Sequence, residues 1–189
     1  MTETELDPGA VKSSRQKLIT LILIAFVPIF VAYAAFFYFP NMAPTGTTNR
    51  GELILPPIAA TDISEELAGQ ASWILLQPVD SQCNSDCTQL LYLSRQVVTG
   101  LGKDANRIKR MVLSAETPSG ELATLLASEH KDVTVIEGSA ALLDEVTTNR
   151  PILFLVDPNA NVMMHFDLEM AGKPMLKDLK HLLKLSNIG

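Results

Sequence analysis

The stretch that decides how this chain is read is Trp73-Ile74-Leu75-Leu76-Gln77-Pro78-Val79-Asp80-Ser81-Gln82-Cys83-Asn84-Ser85-Asp86-Cys87. Its apolar start, Trp73 to Leu76, suits a short strand buried on both faces. After it, Leu90, Leu93, Val97, Val98 and Leu101 keep the spacing of one helical face. Between the two stand Cys83 and Cys87, the only cysteines of the chain. With Cys87 in the first helical turn, the unpaired N–H groups and dipole of the helix start favour a thiolate. Cys83 then lies in the preceding loop as the more exposed thiol. Such a turn can bring two Cα atoms within the roughly 4.4–6.8 Å a disulfide needs. The same pair can hold a soft ion such as Cu(I), or do each in turn. The bland alternative is an inert disulfide that pins the turn; it closes so short a loop that it would stabilise little.

Working outward, alternation continues. Ile108–Leu113, Val133–Ile136 and Pro151–Val156 read as strands, with Lys109 and Arg110 placed at the wet end of the first of these. Leu122, Leu125 and Leu126 mark a helix that Ser119 can cap. Ala140–Val146 marks another, capped by Ser139. Asp157-Pro158-Asn159-Ala160-Asn161 is turn chemistry before an antiparallel return, Val162–Phe166. A last helix runs from about Lys173 to Leu185, its Pro174 tolerable in the first turn. Glu52–Ile58, with Pro56-Pro57, is an edge strand. Strands alternating with helices predict an α/β domain with a mostly parallel sheet and a terminal hairpin.

The N-terminal end is of another kind. Leu18–Phe39 is a run of 22 residues without charge, long enough to span roughly 30 Å of hydrocarbon. Tyr33 and Tyr38 suit the membrane–water interface. Ala32-Tyr33-Ala34 is a weak cleavage-site match, but the run continues past it and exceeds a signal h-region, so it is read as a retained anchor. Lys12, Arg15 and Lys17 precede the span, and the next positive residue is Arg50. The positive-inside rule then predicts a cytoplasmic tail 1–17, a transmembrane helix 18–39, a linker 40–50 and a domain 51–189 outside the cytoplasm. The site of action is thus a cytoplasmic membrane crossed once, in a disulfide-permissive compartment.

The formal charge of −6 lies wholly in the outer part, and no basic patch stands out. Nucleic-acid binding therefore has no electrostatic support. Of the three histidines, His181 is expected in solvent. His130 is expected to cap a helix C-terminus with partial positive charge. His165, in Met163-Met164-His165, is the candidate third ligand if copper joins Cys83 and Cys87. Pro151 opens its strand as an ordinary strand-start proline.

These features together resemble the thioredoxin superfamily and, within it, the Sco (synthesis of cytochrome oxidase) proteins, membrane-anchored copper carriers. The resemblance rests on the single span, the CxxxC turn after a core strand, and Met111-Val112-Leu113-Ser114-Ala115-Glu116-Thr117-Pro118. It continues through Val135-Ile136-Glu137-Gly138-Ser139 and Phe154-Leu155-Val156-Asp157-Pro158-Asn159, and covers most of residues 50–189. It implies a thioredoxin-like domain tethered by one N-terminal transmembrane helix. The role it implies is in respiratory oxidase assembly, through partner thiols or copper. The partner would be an oxidase subunit or another copper or thiol protein. Cys83 would attack and Cys87 resolve. The chain departs from the Sco pattern at several positions: Glu116-Thr117 replaces the Asp of a Ser-x-Asp-Pro turn, and Ala160 stands where Gly is usual. Asn149 stands where Sco proteins carry a copper-ligating histidine, and Asn84 and Thr88 stand where a proline follows each cysteine. Pro151 is similar to the proline that faces the active cysteines of thioredoxins, where it is cis. Two other readings stay open: a general membrane-tethered thiol–disulfide oxidoreductase, and a non-catalytic interaction module with a structural disulfide.

Overall fold

The computed structural model describes residues 8–38, 49–80, 83–146 and 151–186, with side chains from residue 15 onward. They fall into two compact units, Met1–Thr47 and Thr48–Gly189. The first holds one helix, α1 (Pro8–Tyr38), continuous through Pro28. Its apolar part, Arg15–Tyr38, has 24 residues and buries none of them. At 1.5 Å per residue that is about 36 Å, enough to cross a hydrocarbon core. The helix begins ten residues before the apolar run, because helical hydrogen bonding does not require apolar side chains and Pro8 stands where a missing N–H costs nothing. Phe39 and most of the expected linker lie outside the described residues.

The second unit is a six-stranded sheet in the order β1-β6-β5-β2-β3-β4. The strands are β1 (Glu52–Ala59), β2 (Trp73–Val79), β3 (Ile108–Ser114), β4 (Val133–Glu137), β5 (Leu153–Val156) and β6 (Asn161–Phe166). Helices α2 (Ser85–Gly100), α3 (Gly120–Glu129), α4 (Ala141–Val146) and α5 (Lys173–Leu185) complete it. All seven residues of β2 are buried, as a central strand covered on both faces requires. Its side chains alternate. Trp73 and Leu75 pack with Leu90, Val97, Met175 and Leu179 of α2 and α5. Ile74 and Leu76 pack with Met111, Leu113, Phe154 and Leu143 of the α4 side. The cysteine turn leaves from the end of β2, at the sheet edge where β3 and β4 also finish.

The expectation of a mostly parallel sheet is corrected. β2, β3 and β4 are parallel. β5 runs antiparallel to β2, β6 to β5 and β1 to β6. Alternation of elements specifies crossovers but not direction. The helix between β4 and β5 has six residues, about 9 Å, too short to carry the chain back along the sheet. β5 therefore starts at the edge where β4 ends, which is the edge of the cysteines.

Four local expectations also change. Arg110 is not at a wet end: it is buried beneath α2. It donates from Nε to Ser94 Oγ (3.0 Å), from Nη2 to Leu91 O (2.7 Å) and from Nη1 to Asp132 Oδ2 (2.9 Å). His130, at the end of α3, is buried with its Nδ1 3.5 Å from that guanidinium. Burial, then the charges of Arg110 and Arg95, hold its pKa below the ordinary value, so it does not cap the helix as a cation. Ser119 precedes α3 without a side-chain cap bond, whereas Ser139 Oγ accepts from Ala141 N at 3.3 Å. Arg50, expected in the linker, is tied down. Its N–H and that of Gly51 donate to Oδ2 of the buried Asp178 on α5, at 2.6 and 2.9 Å.

Candidate functional site

Three local devices build the cysteine turn. Asn84 is the N-cap of α2, and its Oδ1 accepts from Cys87 N at 2.9 Å. This satisfies a helix-start donor and fixes where Cys87 stands. Asn84 O accepts from Thr88 Oγ1 at 3.0 Å. Asp86 lies in the first turn, where a negative charge complements the helix dipole. α2 thus begins at Ser85, before the apolar stripe that signals it in the sequence, because the cap and not the stripe decides the start.

Cys83 and Cys87 are joined as a disulfide with Cα atoms 5.3 Å apart. Their surroundings differ. Cys83 is partly exposed, 3.9 Å from Thr88 Oγ1. Cys87 is buried among Val79, Leu91, Val112, Leu122 and Leu126. Beneath it lies Gln77, 1% exposed. Gln77 Nε2 donates to Cys87 O at 3.0 Å and stands 3.7 Å from Cys87 Sγ. Gln77 Oε1 is buried without a hydrogen-bond partner. An orphaned acceptor costs free energy, and it belongs to the same amide whose Nε2 faces the sulfur. Sequence reading passed over Gln77; the available signal was one amide in the strand Trp73–Val79. Asn84 was likewise legible only as a residue type that caps helices.

Other singled-out residues divide. Pro151 precedes β5, whose Phe154 pairs with Leu76 in antiparallel register. The start of β5 therefore lies beside the end of β2, and Pro151 is at the edge of the cysteine turn. Asn149 and the Arg150–Pro151 bond lie outside the described residues. The one cis bond among the described residues is Leu55–Pro56, in edge strand β1. His165 is not brought to the cysteines. It pairs across the sheet with Phe154, so both face α4, whereas Cys87 faces α2, α3 and the opposite side of the sheet. Its Nε2 lies 3.4 Å from Glu52 Oε2. His181 is exposed on α5.

Among the described residues, Cys83 and Cys87 are the soft donors at this turn. Cys87 Sγ is flanked by the amide of Gln77 and Cys83 Sγ by the hydroxyl of Thr88, groups that Cu(I) does not favour. Among the described residues no group of three His, Cys, Asp or Glu could hold a metal. The arrangement is instead suited to exchange of a disulfide: one reachable sulfur, one shielded sulfur, a helix N-terminus and an amide N–H directed at the shielded one.

Comparison with known proteins follows this geometry. The profile of the family described as transmembrane-like, thioredoxin-like, C-terminal domain matches residues 73–186. No curated protein sequence matches. Among solved structures, apo Sco1 from Thermus thermophilus is similar over 73% of this chain and 99% of its own, at 16% identity and a TM-score of 0.50. Copper-bound ScoI from Bradyrhizobium japonicum covers 60% of this chain and 87% of its own, at 18% identity and a TM-score of 0.45. A thiol:disulfide interchange protein DsbE from Chlorobium tepidum covers 61% and 80%, at 19% identity and a TM-score of 0.44. At such identities the likeness speaks to the fold alone.

Proposed function

The chain belongs to the family of transmembrane-like, thioredoxin-like C-terminal domains, and from that premise we propose that it is a membrane-tethered thiol–disulfide oxidoreductase working through Cys83 and Cys87. The observation that carries this reading is the asymmetry of the pair: Cys83 partly exposed, Cys87 buried over an amide donor. In the reduced protein, the Cys83 thiolate attacks one sulfur of a partner disulfide. The partner's other sulfur leaves as a thiolate and takes a proton. Cys87, as thiolate, then attacks Cys83 Sγ, releases the partner's second thiol and closes the Cys83–Cys87 disulfide. Two electrons pass to the partner; the reverse sequence oxidises it. Pro151 is proposed to border the partner's sulfur, supported by its position at the same edge.

The anchor is proposed to be α1, with the tail 1–17 in the cytoplasm and the domain 51–189 outside, as Lys12, Arg15 and Lys17 support. Service to respiratory oxidase assembly rests on the Sco resemblance alone. Copper as cargo is the lesser reading, since the described donor set does not complete a site for it.

Trapping tests the chemistry. A Cys87→Ser variant of the full chain is expected to accumulate a mixed disulfide through Cys83 with a small disulfide. Cys83→Ser is expected to form none. Equal trapping by both variants overturns the assignment. Resistance of the native disulfide to mild dithiol reductants would leave a structural bridge in a non-catalytic module.

A further inference from the structure

A groove of about 650 Å³ opens beside the cysteine turn. Cys83 and Thr88 line one side, and Glu121, Thr124, Leu125 and Ser128 of α3 line the other. A second hollow, of about 300 Å³, continues round the start of α3 past Asp80, Glu116 and Leu122. Leu122 borders both, so the two hollows adjoin on the α3 side of Cys83, and the pair is termed the trough.

The charge around the Cys83 end of this trough is negative; the nearest cation is Arg95, whose guanidinium donates to the backbone O of Glu129 at the far end of the groove. No Lys or Arg occurs in 51–94 or in 111–130, and between Lys131 and Arg150 there is none. The segments that meet at the ends of β2, β3 and β4 carry Asp80, Asp86, Glu116, Glu121 and Glu137. The other cations of this part of the sheet gather at its other end: Lys103, Arg107, Lys109 and Arg110 into β3, and Lys131 before β4. Arg150 lies outside the described residues.

Helix dipoles account for only part of this. Asp86 and Glu121 stand in first helical turns, where an acid is favoured. Asp80 follows β2, Glu137 ends β4 and Glu116 stands in the loop before α3, so no helix start calls for them. Asp80 and Glu116 are exposed, and neither holds the fold together. A cleft walled by one sign of charge raises the local concentration of the opposite one and speeds encounter.

Resting on the exchange reading above, we propose that this anionic trough receives an extended, lysine- or arginine-rich segment of the thiol-bearing partner and presents its sulfur to Cys83. The hydroxyls of Thr88, Thr124 and Ser128 offer hydrogen bonds along the α2–α3 side, and Leu125 an apolar floor.

The test uses the full chain in detergent micelles and two peptides of one sequence, each carrying a mixed disulfide. Lys flanks the disulfide in one, Glu in the other. At low salt the Lys peptide is expected to react about tenfold faster, an advantage that shrinks as added salt screens the charges. Reversal of two wall charges, Glu116→Lys with Glu121→Lys, is expected to erase or invert it. The rate with neutral hydroxyethyl disulfide, measured for each protein, serves as the divisor, so that any change the new lysines make in the Cys83 thiolate itself cancels from the comparison. Equal rates for both peptides while the neutral disulfide turns over would overturn the proposal and leave the exchange reading intact. If the neutral disulfide is not turned over, the exchange reading fails. The trough is then judged by fluorescence anisotropy of Ser-for-Cys peptides on the oxidised protein. Tighter binding of the Lys peptide, lost on charge reversal, upholds it; equal binding overturns it.

Discussion

Replacing Gln77 by Leu isolates the contribution of the buried amide to the redox couple. Gln77 Nε2 stands 3.7 Å from Cys87 Sγ and 3.0 Å from Cys87 O. In the disulfide the sulfur is a weak acceptor and gains little. Once reduced and ionised, Cys87 becomes a buried anion for which a hydrogen-bond donor is worth about 1.5–3 kcal/mol. The separation is long, so the value falls just under that range: about 1.4 kcal/mol, or tenfold in an equilibrium constant. The leucine variant should therefore hold its disulfide about tenfold more firmly, its potential about 30 mV more negative. Folding stability should change little. Losing the donor to Cys87 O is unfavourable, but the orphaned Gln77 Oε1 goes with it, and removing a buried unpaired acceptor is favourable. The assay is equilibration with glutathione buffers, read by tryptophan fluorescence or alkylation, at a pH where Cys87 is ionised. A fully folded leucine variant with an unchanged or more positive potential would refute this account of Gln77.

Three other outcomes follow from the same packing. Asn84→Ala removes the cap on Cys87 N and should lower stability by about 1 kcal/mol in denaturant titration; no loss would mean that solvent caps α2 equally well. His130 is held below its ordinary pKa of 6.5 by burial and then by Arg110 and Arg95. The unfolded chain takes up a proton as pH falls through 6.5 while the folded chain does not. This part of the stability is complete above pH 6.5 and declines as pH falls toward the lowered folded value. Chemical denaturation at stepped pH should show the slope in the native protein and lose it in His130→Gln; an unaltered slope would assign it elsewhere. At Gly138 an added Cβ would meet Ile63 O at 2.5 Å and Leu113 Cδ1 at 2.8 Å. A backbone oxygen cannot turn aside, so Gly138→Ala should cost about 1–3 kcal/mol, and a neutral result would mean that the segment around Ile63 moves freely.

The sequence by itself determined the order of elements, the apolar span and the cysteine turn between strand and helix. Each depends on local chemistry: hydrophobic period for the strands and helices, an uncharged run for α1, residue type for the thiols. The family match over 73–186 follows the same pattern. Tertiary structure decided what locality cannot carry. The direction of β5 depends on how far the short α4 can reach, and that direction puts Pro151 beside the end of β2. His165, a sound metal donor by type, faces away from Cys87 because strand alternation and the pairing with Phe154 set its side. Arg110 looks like a surface cation beside Lys109 and is buried because β3 carries it under Ser94 and Leu91 of α2. Gln77 passes for a flaw in an apolar strand until packing lays it under a sulfur ten residues away. Partners far apart in sequence meet only when the sheet brings them together, and there the distances and signs of charge that govern the chemistry are set.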